Sequence, residues 1–153
     1  MADLKTVFRQ KLEGDSALTT LLTGGIWDSS ELPREGISAQ NRPEIFEANK
    51  ITIKPFAAIQ WREMNPLEPL LPDTKRRMCE VFVYQWKGYD TIDAALRRLE
   101  QMFEAYEDRQ LGVADDAAGA WVEWVGNLGE VTDPDLQNAP MSRARFEINI
   151  KRG

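Results

Sequence analysis

"KRRMCEVFVYQWKGYDTIDAALRRLEQMFEAY" (residues 75–106) holds the longest legible pattern in the chain. Its first part, Lys75 to Trp86, alternates. Cys79, Val81 and Val83 fall on one face, and Met78, Phe82, Tyr84 and Trp86 on the other. Both faces are largely apolar, which predicts a strand that is central or covered on both sides. Lys87-Gly88 makes a turn, and Asp90 or Thr91 is the expected cap of a helix running to about Asp108. Ile92, Ala95, Leu96, Leu99, Met102, Phe103 and Tyr106 keep i, i+3, i+4 spacing on one helix face. Arg97, Arg98, Glu100, Gln101 and Glu104 fill the opposite, solvated face.

Upstream, FAAIQWRE (56–63) also alternates, with Ala57, Ile59 and Trp61 opposite Ala58, Gln60 and Arg62. Residues 64–74 contain Pro66, Pro69 and Pro72, so they cannot extend a central strand and read as a projecting hairpin tip. Downstream, 109–118 reads as loop, Ala120 to Val125 as a short strand, and 126–140 as a second loop. The last strand, Met141 to Lys151, alternates cleanly: Ala144, Phe146, Ile148 and Ile150 inward, Arg143, Arg145, Glu147, Asn149 and Lys151 outward.

The N-terminal part predicts two helices. Asp3 caps the first, which buries Leu4, Val7, Phe8 and Leu12 and ends at Gly14. Asp15 or Ser16 caps the second, with Ala17, Leu18, Leu21 and Leu22 inward, and Gly24-Gly25 stops it. Ile26-Trp27 is a candidate short strand. Asp28 to Pro55 then has no period, although loops longer than about 12–15 residues are uncommon in compact domains unless functional or disordered. The expected architecture is a single α+β domain over residues 1–153. It has two layers, a mostly antiparallel sheet packed by one long amphipathic helix plus the N-terminal helices.

The chain contains no histidine, which excludes Ser-His-Asp and Cys-His nucleophiles, histidine general bases and histidine metal ligands. Asp115-Asp116 and Asp133-Pro134-Asp135 lack the calcium-loop pattern and read as solvated acidic loops. The glycine pairs lack the Lys-Ser/Thr of a phosphate loop. No catalytic residue, metal site or cofactor is therefore expected, although a carboxylate pair brought together only by the fold stays open as a hydrolase reading. The net charge of −6 argues against gripping nucleic acid through the overall field. A single cysteine, Cys79, fits a reducing compartment and reads as a buried thiol. The first fifteen residues carry charges throughout and predict no signal peptide, and no apolar run is long enough for a membrane span.

Two surface features point to protein contacts. Leu67, Leu70 and Leu71 lie between prolines at the expected hairpin tip, where stiffening lowers the entropy cost of docking. Arg76, with Lys75 and Arg77, opens one strand, and Arg143, Arg145, Lys151 and Arg152 lie on another. If the two strands are neighbours they form a basic stripe for an acidic partner or for passing DNA. Glu80 and Glu147 interleave with them, which favours a merely solvated sheet face.

The element order resembles that of the tail terminator, or tail completion, proteins of long-tailed bacteriophages. The stretches that carry the resemblance are "DSALTTLLTGGIWD", followed by a Pro-rich loop, then "FAAIQWRE", a hairpin, "MCEVFVYQW", "KGYD", "TIDAALRRLEQMFEAY" and "RARFEINI". The resemblance implies a non-enzymatic virion protein of the tail and neck, assembled in the host cytoplasm. It implies a hexameric homo-oligomeric ring that caps the tail tube, ends its polymerisation and joins it to the head connector or stopper. DNA would pass through the lumen without specific binding. A stopper or minor tail protein is the neighbouring reading. In such a ring, residues 28–55 would lie across the adjacent subunit, and the hairpin 64–74 would project towards the tube or the head.

Overall fold

The computed structural model describes residues 4–33, 36–66, 74–111, 117–136 and 138–152. The chain runs α1 (Leu4–Glu13), α2 (Ser16–Leu21), β1 (Ile26–Asp28), β2 (Phe56–Pro66), β3 (Thr74–Tyr84), α3 (Asp90–Met102), β4 (Gln110–Leu111), β5 (Ala117–Asp133) and β6 (Ala139–Arg152). The strands form a six-stranded mixed sheet in the order β1-β2-β3-β6-β5-β4. Only β1 and β2 pair in parallel. The architecture is α+β, as the pattern implied.

One face of the sheet carries the helices. Cys79, Val81 and Val83 of β3 meet Phe146 and Ile148 of β6, and Phe8, Leu12, Leu18, Leu22, Ile92, Leu96 and Leu99 pack down on them. Cys79 is fully buried, and that burial pushes its thiol pKa well up, so it is a core side chain rather than a nucleophile. The central strand β3 is flanked by β2 and β6, as its two apolar faces required.

Helix α3 starts without a cap from its own N-cap residue, Tyr89. Gln85 substitutes from the end of β3: its Oε1 accepts from Thr91 N at 3.0 Å and Ile92 N at 3.1 Å. Its Nε2 donates to Asp90, and this bond holds the Asp90 carboxyl below its ordinary pKa. The helix stops at Met102, short of the expected Asp108. Phe103 N turns back to Glu100 O and Gln101 O, and Arg109 Nε donates to Phe103 O at 2.8 Å. Phe103 stays buried, but Tyr106 falls in the following 3-10 turn (Tyr106–Arg109), 64% exposed, edge-on to Trp121 with ring centroids 4.4 Å apart.

Asp15 caps α2, accepting from Leu18 N at 3.0 Å. Its carboxylate also receives Arg98 Nε and Nη2 at 2.8 and 2.7 Å, so Arg98 ties α3 to α2 instead of facing solvent freely. Ala17 turns outward, because the six-residue helix points only Leu18 and Leu22 fully inward. The Arg98 hydrogen bond lowers the Asp15 pKa below its ordinary value. A depressed carboxyl adds stability above its unfolded pKa, and that stability is lost as pH falls through the folded pKa. Asp15→Asn keeps a capping oxygen but loses the charge. It should cost roughly 1 kcal/mol at neutral pH, discounted for the exposure of Arg98. In urea melts the gap to wild type should close as pH drops below about 4. A gap that persists at pH 2 would remove the charge from the explanation.

Gly24 and Gly25 do more than stop α2. Gly25 has φ +98°, and a Cβ on Gly24 would sit 2.9 Å from the Pro55 carbonyl oxygen. That close approach, with Gly24 N donating to Pro55 O, lays β1 alongside β2.

Two expectations about extended structure need correction. Strand β2 continues through Met64, Asn65 and Pro66, which pair with Arg77, Arg76 and Lys75 after a bulge beyond Trp61. Proline is tolerated there because β1 covers β2 only from Ala57 to Ile59, leaving the rest an edge. Strand β5 spans seventeen residues, including the stretch 126–133 that reads as loop. Bulges at Ala117/Gly119, Trp124/Gly126 and Leu128/Val131 break the alternation while the pairing to β6 continues.

Segment 28–55, which has no period in the sequence, is anchored on its own domain by three apolar side chains. Ile45, Phe46 and Ile53 are buried with Phe56, Leu136 and Ala139 against one end of the second sheet face. Phe56 and Tyr84 stack there at 4.7 Å. Local bonds replace a regular ladder: a capping box links Asp28 and Glu31, Ser38 N donates to Asn41 Oδ1, and Ile51 N and Thr52 N both donate to Asn49 Oδ1.

Candidate interaction surface

The loop covers only one end of the second sheet face. The other end gathers the sequence-predicted arginines, whose side chains stay partly exposed among the described residues. β3 and β6 are antiparallel neighbours with Glu80 opposite Arg145, Phe82 opposite Arg143 and Arg76 opposite Asn149. Directly opposite residues share a face, so the stripe expected from Arg76, Arg143 and Arg145 forms.

Glu80 organises it. Its residue is 3% exposed, and it is the one buried carboxylate among the described residues. Arg62 Nη2 of β2 bonds its Oε1 at 3.1 Å, Arg145 Nη2 stands 3.6 Å from the same oxygen, and Arg143 Nη1 stands 2.9 Å from Oε2. The Arg143 contact is an ion pair outside hydrogen-bond geometry. Arg143 also lies over the Phe82 ring, 5.4 Å from its centroid. Arg76 pairs separately with Glu147 at 3.4 Å. Three guanidiniums thus share one carboxylate, a local excess of two positive charges, while Arg76 and Glu147 balance. The arginine side chains stay between a third and a half exposed.

From the sequence alone Glu80 reads as a charge that dilutes the stripe, and Arg62 is not part of it. A signal for both existed: Glu80 shares the Met78/Phe82 face and Arg62 the Gln60 face. Only the register brings them together. Leu67, Leu70 and Leu71 lie outside the described residues, as do Asp3 and Asp115-Asp116.

On the opposite side of the molecule, two shallow clefts of about 350 and 380 Å³ separate α3 from β5. Glu100 lines both; Glu104 lines one, where Glu123 borders it from the arginine side of β5 opposite Glu147, and Asp93 and Glu130 line the other, with Arg97 and Arg109 as the cations. These carboxylates are not buried. Among the described residues no group of three or more His, Cys, Asp or Glu side chains is placed to hold a metal, and no helix is long and apolar enough to cross a membrane. Chemically, the molecule offers a fixed set of guanidiniums and an acidic rim.

No protein-family model and no curated protein matches the sequence. The fold does match a solved structure, a chain described as "Virion of native gene transfer agent (GTA) particle". The TM-score is 0.60 at 12% identity, over 97% of this chain and 95% of that one. At that identity the likeness is one of fold, and it spans the whole domain.

Proposed function

We propose that this protein is a structural component of a phage-like virion, and within that class a tail terminator. The observation that carries the class is the end-to-end fold likeness to a chain of a gene transfer agent virion particle. The finer reading rests on the element order, from the helix pair and Gly24-Gly25 stop through the β2–β3 hairpin to α3 and β6. In this role, copies of the chain form a hexameric ring at the end of the tail tube. The ring stops tube growth and meets the head connector or stopper, and DNA passes through its lumen without specific binding. Surfaces rather than a catalytic site do the work, and no cofactor takes part. A stopper or minor tail protein is the second reading, supported by the same likeness, since the matched title names a whole particle.

The test is polymerisation of the cognate tube protein with and without this chain, followed by electron microscopy. A terminator caps ends, so mean tube length should fall as the chain is added and the ends should carry a ring. An unchanged length distribution with the chain bound elsewhere in the neck overturns the terminator role in favour of the stopper. Light scattering of the free chain should give a discrete mass of about six subunits if the ring closes without the tube.

A further inference from the structure

The geometry points to the arginine face of one copy docking on the acidic α3–β5 rim of the next copy. This deepens the ring reading and rests on it. Glu80 holds Arg62, Arg143 and Arg145 in place from below, so their rotamer freedom is already restricted before docking. One carboxylate cannot satisfy three guanidiniums, each with five donors, which leaves donors and two positive charges pointing outward. Side-chain carboxylates are the matching chemistry, because a guanidinium receives them through paired N–H bonds.

A second copy is the occupant that the charge favours. The chain carries −6 overall, so removing this +2 patch leaves −8 for the rest of the molecule. The α3–β5 rim concentrates part of that charge in Glu100, Glu104 and Glu130. The two surfaces lie on opposite sides of the sheet, since α3 packs on one face and the arginines stand on the other. Contact between them is therefore head-to-tail. Such a contact cannot be satisfied in a two-fold dimer, and it closes a ring when the rotation per subunit allows.

Light scattering over a wide concentration range tests this on wild type and two variants. Arg62→Gln with Arg145→Gln removes the excess charge and leaves Arg143 on Glu80. Glu100→Lys with Glu104→Lys reverses the rim at unburied positions, where folding is not at stake, and urea melts verify both variants. Each variant should associate at least about tenfold more weakly, and wild type should weaken as salt rises from about 50 to 500 mM. Wild-type association in both variants overturns the contact and leaves the ring standing. Loss in the arginine variant alone means another acidic surface is the occupant, and it overturns the contact as drawn. A wild type that stays monomeric at low salt also overturns the contact, while tube length still judges the ring independently.

Discussion

Phe8→Ala should lower stability by about 4 kcal/mol, roughly a quarter to four fifths of the total for a domain in the usual range of about 5–15 kcal/mol. Phe8 is fully buried, and its ring touches three others from three parts of the chain. It stands edge-on to Trp61 of β2 at 5.5 Å and to Phe146 of β6 at 5.6 Å, and stacks on Phe103 after α3 at 6.1 Å. Phe103 and Phe146 close the cluster at 5.2 Å. Alanine removes the burial of a large ring and leaves a cavity whose walls are two strands and two helices, which cannot all collapse into it. Each aromatic pair adds roughly 0.5–1.5 kcal/mol beyond area, although the pairs share one ring and do not sum. At this chain length the loss corresponds to a fall in Tm of about 8–16 °C. Urea unfolding measures it directly. Phe8→Leu keeps most of the volume and should cost far less. If alanine and leucine cost the same, or alanine costs under about 1 kcal/mol, Phe8 is not the hub of the core.

The part of the fold that Phe8 anchors was legible because it obeys a period. The heptad-like spacing from Ile92 to Met102 placed α3, and the alternation in β3 and β6 placed the sheet face beneath it. What was not legible breaks period for a physical reason. Three bulges shift the inward set of β5 along the strand, so 126–133 reads as loop although its backbone is paired. In 28–55, Ile45, Phe46 and Ile53 bury side chains at irregular intervals, held by Asn, Asp and Ser bonds to nearby backbone that no hydrophobic template captures. The candidate surface shows the same division. The sequence assigned Arg76, Arg143 and Arg145 outward on their strands, but which carboxylate sits among them depends on a register spanning sixty-odd residues of chain. In the sequence Glu80 reads as dilution of a basic stripe, and in three dimensions it is the post around which the stripe is built.

That role makes Glu80→Ala the second large effect, expected at about 2 kcal/mol. Removing one partner of a fully buried ion pair costs about 3–5 kcal/mol, because the other charge is stranded. Here the stranded groups are Arg62, Arg143 and Arg145, all at least a third exposed, so they can swing into water and recover much of their hydration. What remains is repulsion among three guanidiniums on neighbouring strands and a void under them. The two parts separate by salt. Repulsion between partly exposed charges is screened, so raising salt from about 0.05 to 0.5 M should narrow the gap between Glu80→Ala and wild type, whereas the void is indifferent to salt. Glu80→Gln fills the void but keeps the repulsion, so its smaller deficit should shrink with salt more completely. A cycle with Arg143→Ala should return a coupling of about 1 kcal/mol, since the 2.9 Å pair is the closest of the three. Equal urea midpoints for wild type and Glu80→Ala at low salt would mean that the carboxylate organises nothing, and that the arginines stand outward unaided.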